Sequence, residues 1–306
     1  MMRVLVTGGA GFIGSHSVDA LLADGAFVRV LDNFSAGKRD NLPASERLEI
    51  ITGDIRDAGV VRQAMSGMSH VLHLAAQVSV QASIEQPFDS HTHNITGFVT
   101  VLDAARQARV GRMVYASSAA VYGTPARLPL DETAPTMALS PYGLEKIVND
   151  QYAELYRALY AYSSLGMRYF NVYGPRQDPR SPYAGVISKF VDGVRQNGDL
   201  RVFGDGLQTR DFVYVEDVAR ANVAALKSEL AGVCNIGTGH SVTLRDMLVV
   251  LQQISAKKLS VEYLPARAGD IRDSATRVER MNQQLGCQAH TSLQVGLGSL
   301  MDSLTD

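Results

Sequence analysis

Short apolar runs rich in β-branched residues recur along the first two-thirds of the chain, at 4–7, 27–32, 48–54, 70–76, 112–117 and 163–170. Between them, 13–23 and 97–108 carry apolar positions at helical spacing, and Ser140-Pro141 supplies a cap and first-turn proline for a helix running to about Tyr160. Alternation of this kind predicts a parallel sheet covered by helices. The rhythm breaks at 174–184, where prolines 175, 179 and 182 and two arginines suit a loop leaving the sheet. One further strand and turn is predicted at 234–239. The expected organisation is a sheet domain over 1–172, to which the chain returns near 211–250, and a smaller, partly interleaved α/β domain within 173–306.

Composition narrows the partners. With 306 residues, 46% of them hydrophobic, the chain can bury one large core or two modest ones. A net charge of -2 offers no broad positive field for nucleic acid, so any phosphate site must be local. Cys234 and Cys287 are too few for a disulfide framework, which suits a reducing cytoplasm. Met1-Met2-Arg3 leads directly into a strand and no apolar run reaches membrane length, so a soluble intracellular protein is expected.

The first strand opens onto Gly8-Gly9-Ala10-Gly11-Phe12-Ile13-Gly14. Glycines at 8, 11 and 14 allow a tight turn, let backbone N–H groups approach a pyrophosphate, and let helix and strand pack closely. Asp32 ends the second strand 18 residues after Gly14, where a carboxylate can accept from ribose hydroxyls. Together these predict a dinucleotide cradle on a Rossmann-type doubly wound sheet. Asp32 repels a 2′-phosphate and favours NAD over NADP, with Lys38 and Arg39 pulling the other way.

Ser117-Ser118 ends another strand, but Ala119 and Ala120 follow and offer neither acid nor base. The base is found 24 residues after Ser118, in Tyr142-Gly143-Leu144-Glu145-Lys146. Positions four apart share a helix face, so Tyr142 and Lys146 can enter one pocket. An ammonium near a phenol lowers its pKa and makes a tyrosinate base accessible, while Ser118 can hold the substrate oxygen.

These segments, with HLAA at 73–76, RYFNVYGPRQ at 168–177 and TRDFVYVEDVA at 209–219, resemble the extended short-chain dehydrogenase/reductase superfamily, and within it the nucleotide-sugar epimerases of the UDP-glucose/UDP-N-acetylglucosamine 4-epimerase group. The resemblance implies catalysis by Ser118, Tyr142 and Lys146, with oxidation of the sugar at C4, rotation of the 4-keto sugar and re-reduction on its other face. Dehydratases of the superfamily carry an aspartate and a glutamate where this chain has Ala119 and Ala120, so the alanines favour epimerisation. The resemblance further implies NAD contacts from Gly8, Gly11, Phe12, Ile13, Gly14, Asp32, Asn33, Asp54, Ile55, Leu74, Ala75, Ala76, Asn94, Lys146 and Tyr169. For the UDP-sugar it implies Ser79, Ser118, Tyr142, Asn171, Arg210, Arg267, Asp270 and Ser274. In the family a tyrosine at the place of Ser274 restricts the pocket to plain hexoses, and a small residue admits a 2-N-acetyl group. UDP-GlcNAc and UDP-GalNAc are therefore expected, with UDP-Glc and UDP-Gal also open.

No metal site is expected. His70 and His73 face opposite sides of a strand, and His91 and His93 lack further ligands. Tyr152, Tyr156 and Tyr160 recur at helical spacing and read as core, or, with Val101 and Leu102, as a helix-helix homodimer interface. Two other readings stand beside the epimerase: a UDP-uronic acid 4-epimerase, which needs a cation for the sugar carboxylate, and a dinucleotide-binding sensor without catalysis.

Overall fold

The computed structural model describes residues 1–178, 185–196, 198–266 and 271–304. Seven strands form one parallel sheet: β1 (Arg3–Thr7), β2 (Phe27–Asp32), β3 (Leu48–Thr52), β4 (His70–His73), β5 (Arg112–Ser118), β6 (Ser164–Tyr169) and β10 (Gly232–Ile236), in the order β10-β6-β5-β4-β1-β2-β3. Alternation along each strand divides the core. Val4 and Val6 of β1, Leu72 of β4 and Val114 of β5 face one layer with α1 (Phe12–Ala23), while Leu5, Val71, Met113 and Tyr115 face the other. That second layer holds α2 (Ala58–Met65), α5 (Gly97–Gln107) and α6 (Pro141–Tyr160), with the short α3 (Val80–Glu85) and α4 (Pro87–His91) at its end. Strand order reverses between β1 and β4, and at such a switch point a crevice opens at the strands' carboxyl ends.

A second sheet, β11-β9-β7, joins β7 (Asn171–Tyr173), β9 (Thr209–Tyr214) and β11 (Ser241–Thr243). A third pairs β8 (Leu200–Phe203) with β12 (Val261–Leu264). Around them α7 (Val186–Arg195), α9 (Leu244–Ser255) and α11 (Leu293–Asp302) enclose a separate core that includes Phe190, Val191, Met247, Leu251 and Leu297. The chain returns to the large sheet through α8 (Val215–Lys227), packed on α1, and through β10, followed by α10 (Glu279–Gln284) against β10. Within 211–250, β9 pairs in the second sheet and straddles the two cores, with Val213 in the first and Phe212 and Tyr214 in the second, and α9 packs in the second. The predicted strand at 70–76 ends at His73, where the chain leaves the sheet as the wall of the crevice. Of the predicted loop at 174–184, residues 179–184 lie outside those described.

Candidate active site

Register brings the predicted residues to one edge. Thr7 of β1 pairs with Leu31 of β2 and His73 of β4, His73 with Tyr115 of β5, and Ser118 with Tyr169 of β6. The glycine turn, the 74–79 loop and Ser118 thus all leave the sheet on its carboxyl side.

The cradle is built by backbone proximity. A Cβ at Gly8, whose φ is +69°, would lie 2.7 Å from Ala75 N, and one at Gly14 would lie 2.8 Å from Gly9 Cα. Phe12 and Ile13 open α1, leaving its first N–H groups directed at the crevice. Asp32 is buried: Oδ2 accepts from Ala10 N–H at 2.9 Å and Oδ1 from Phe34 N–H at 2.8 Å, which holds the carboxylate against the turn with lone pairs left for a ribose. The Lys38 N–H donates to Ala10 O at 3.0 Å, folding the 33–41 loop over the turn. Asn33 donates to Asp54 Oδ2 at 3.2 Å. The Arg56 guanidinium grips both Asp54 oxygens and holds that carboxyl down to about 2. Ile55 is buried against Gly97. Leu74 and Ala75 are moored to Thr7, through its carbonyl at 3.0 Å and its hydroxyl at 3.3 Å. Beneath them Thr7 Oγ1 meets His73 Nδ1 at 2.7 Å, and burial pushes that imidazole down to about 3, so it stays neutral. Tyr169 is buried with its hydroxyl on Asn222, so only its backbone is left to face a cofactor. Such a cleft, narrow over a glycine turn with an acidic strand end, fits a dinucleotide.

Ser118, Tyr142 and Lys146 meet as expected. Ser140 Oγ accepts from Gly143 N–H at 3.1 Å, Pro141 starts α6, and Ser83 of α3 accepts from Tyr142 N–H at 3.1 Å, so the first turn is held from two sides. The Ser118 side chain lies close enough to the Tyr142 phenol to lower its pKa, and its Oγ accepts from Ala120 N–H at 3.1 Å. Lys146 is buried, donates to Ala116 O at 2.9 Å, and its Nζ lies 5.7 Å from the Tyr142 ring centre. The electrostatics differ from the sequence expectation. Burial raises the Tyr142 pKa, Ser118 opposes that rise and Glu145 adds to it, whereas the Lys146 ammonium does not offset it. Burial brings Lys146 itself down to about 8. Desolvation of the phenol is the largest influence on it, while Nζ is engaged by the β5 carbonyl of Ala116.

On the substrate side, Asn171 starts β7 and donates to Asp211 O at 3.3 Å. The Arg210 guanidinium spans the carbonyls of Thr209 at 2.7 Å and Arg272 at 3.0 Å, and Ser274 N–H donates to Thr209 O at 3.2 Å, so these three residues gather on β9. Arg267 and Asp270 lie outside the described residues. Ser79 is engaged as the cap of α3, its Oγ accepting from Ala82 N–H at 2.9 Å. Asn94 does not point freely into the cleft: its amide is bound to Gln77 and Glu145.

Residues outside the predicted set support the site. Asp150, one turn beyond Lys146, receives Tyr115 Oη at 3.0 Å, Ser117 Oγ at 3.2 Å and the Arg168 guanidinium at 3.1 Å. Asp150 and Arg168 are 18 positions apart and share no local motif, but a carboxylate at the fourth place after Lys146 was a signal that the helix face continues inward. Val101 and Leu102 are fully buried in the chain's own core, which removes them from any interface. Tyr152 and Tyr156 pack on the same core. His70 and His73 bind different strands' neighbours, Ser69 and Thr7. Among the described residues no helix is long and apolar enough to cross a membrane, and no three His, Cys, Asp or Glu side chains cluster as metal ligands.

Residues 4–237 match the NAD dependent epimerase/dehydratase family. The UDP-glucose 4-epimerase of Mycolicibacterium smegmatis is 38% identical over 307 residues, covering 98% of each chain. Among solved structures, a UDP-N-acetylglucosamine 4-epimerase from Methanobrevibacter ruminantium in complex with UDP-N-acetylmuramic acid superposes with a TM-score of 0.96 at 34% identity, over 99% of this chain and 98% of that one. A Thermus thermophilus UDP-glucose 4-epimerase in complex with NAD superposes with a TM-score of 0.92 at 38% identity, over 99% of each.

Proposed function

The chain belongs to the NAD dependent epimerase/dehydratase family, and from that premise we propose that it inverts C4 of a UDP-hexose, with UDP-GlcNAc and UDP-GalNAc as its pair and UDP-Glc and UDP-Gal as further substrates. One observation carries the reading: buried Lys146 with its Nζ 5.7 Å from the Tyr142 ring centre, beside Ser118 at the mouth of a glycine cradle, with no acid at Ala119 or Ala120.

Bound NAD supplies a hydride acceptor that becomes a donor when the sugar has turned. The chain's own residues do the rest. Tyr142 takes the proton from the C4 hydroxyl and returns it, and Ser118 holds that oxygen throughout. Lys146, anchored on the Ala116 carbonyl, offers positive charge toward the nicotinamide ribose. Gly8, Gly11 and Gly14 leave room for the pyrophosphate at the start of α1, Asp32 takes the adenosine ribose, and Asp54 and Ile55 border the adenine. Arg210 and Asn171 hold the diphosphate of the substrate, a task suited to a guanidinium fork. Ser274, beside Arg210 on β9, leaves the space an N-acetyl group needs. The buried set Val4 to Leu226 of the large sheet and the separate core around Phe190 and Met247 support a nucleotide domain and a sugar domain, with α8 and β10 returning to the first.

We also place the protein in a reducing cytoplasm, in keeping with its two buried free thiols, and as a homodimer. The dimer face is the outward side of α6, where Leu144, Leu155 and Leu159 are 54%, 48% and 63% exposed at helical spacing. Incubation of pure protein with UDP-GlcNAc should yield UDP-GalNAc. Ser274→Tyr should depress turnover of the N-acetylated pair relative to the plain pair, and an unchanged ratio would remove the substrate assignment.

A further inference from the structure

Glu145 sits between the two catalytic positions yet not on their face, since each helical residue turns about 100° from the last. A glutamate beside a lysine ordinarily reaches water. This one is 4% exposed. Its Oε2 accepts from Asn94 Nδ2 at 2.6 Å and from Ser90 Oγ at 2.9 Å. Asn94 then closes on the peptide of Gln77 from both sides: Oδ1 accepts from Gln77 N–H at 2.8 Å, and Nδ2 donates to Gln77 O at 2.8 Å. Ser90 belongs to α4 and Asn94 to the wide π-helical turn Thr92–Thr96, so this contact crosses three segments of chain. Gln77 follows Ala75, the residue against which Gly8 packs. One buried carboxyl group therefore links the helix bearing Tyr142 and Lys146 to the loop that walls the dinucleotide cradle.

We propose that Glu145 is a positioning residue: it orients the Asn94 amide, which clasps Gln77 and holds the 74–79 loop against bound NAD in register with Tyr142 and Lys146. The amide alone could rotate by half a turn and present oxygen where nitrogen is needed. With a carboxylate on one side and the Gln77 carbonyl on the other, only the orientation with Nδ2 inward satisfies every partner. The loop is then fixed without a side chain of its own entering the helix.

This inference rests on the NAD-dependent reading of the site, and its test separates the two. Glu145→Ala, the isosteric Glu145→Gln, Asn94→Ala and the double alanine variant are stripped of nucleotide and titrated calorimetrically with NAD. Glu145→Ala should weaken NAD by about tenfold, the loss expected of one charge-assisted hydrogen bond, and lower kcat with KM for the UDP-sugar held within about twofold. Glu145→Gln, which keeps an acceptor for Asn94, should recover most of that loss, and the double variant should be no worse than its weaker parent. Amide hydrogen exchange across 74–79 in the nucleotide-free protein should quicken in Glu145→Ala and not in Glu145→Gln. Unchanged exchange there, NAD affinity within about twofold of the parent, or losses that add in the double variant would each overturn the clasp. A parent chain that binds NAD but epimerises no UDP-sugar would instead overturn the proposed function and leave the exchange result standing.

Discussion

Gly14→Ala and Gly298→Ala are the same change in two helices, and the structure assigns them opposite signs. In α11 a Cβ at Gly298 meets nothing within 4 Å, so alanine brings only its better helix propensity, about 0.5–1 kcal/mol. In α1 a Cβ at Gly14 would lie 2.8 Å from Gly9 Cα and 2.9 Å from Gly8 C, and closer still to the Gly8 carbonyl oxygen. Ordinary carbon contacts need about 3.5 Å or more, so the turn must retreat by roughly 0.7 Å. Those neighbours are backbone and cannot swing aside as a side chain would. Overpacking of this kind costs about 1–3 kcal/mol, which exceeds the propensity gain and leaves Gly14→Ala less stable by about 1–2 kcal/mol. Urea unfolding of the nucleotide-free proteins reads both signs. Repeating it with NAD at about a hundred times its Kd should add about 2.7 kcal/mol to the parent and to Gly298→Ala, but little to Gly14→Ala, whose cradle has opened. If Gly14→Ala were stabilised like Gly298→Ala and kept the NAD increment, the close-approach account of the glycine turn would be wrong.

Tyr142→Phe should cut kcat by about 10²–10⁴-fold while NAD still binds, as calorimetry would show; wild-type turnover in that variant would refute the base assignment. Lys146, brought down to about 8 by burial, loses its ammonium as pH rises through that value, so activity should fall on the alkaline side, and Lys146→Arg should show no such fall. Stability runs the other way. Below pH 8 folded and unfolded chains both hold the proton and burial of the charge is unfavourable, whereas above the ordinary lysine value of 10.5 neither holds it. Unfolding free energy should therefore gain on the order of 3 kcal/mol across that window from this one group, and Lys146→Met should lose the slope. Asp150→Ala leaves Arg168 buried without its carboxylate and should cost about 3–5 kcal/mol in urea; a loss under about 1 kcal/mol would mean the pair is not holding α6 to β6.

The large sheet was legible because its signals are local. β-branched runs marked six of its strands to within a few residues, and Ser140-Pro141 marked the start of α6 at the observed cap. Helices α3 and α4 were not, since 80–91 has no apolar period and they are set by the Ser79 cap and Pro87. The meeting of Ser118, Tyr142 and Lys146 could be read because one helical turn and one strand end bring them together. Glu145 and Ser90, and the bond that ties Asn94 to them, could not, because Glu145 beside Lys146 has the pattern of a solvated pair and only the π-helical turn reveals its partners. The burial that raises the Tyr142 pKa was hidden for the same reason: charge spacing is visible in a sequence, desolvation is not.

The segment after Ser118 is stitched to the stretch that follows Ser274: Leu130 N–H donates to Ala275 O at 2.9 Å, Arg277 N–H donates to Leu130 O at 2.8 Å, and Thr276 Oγ1 reaches the same carbonyl at 3.1 Å. Tyr122 Oη, on that segment, meets Asn235 of β10 at 2.6 Å and receives Arg168. The stretch next to Ser274 is consequently tied, through Leu130 and Tyr122, to the frame of the large sheet, and does not sit on a lobe free to drift.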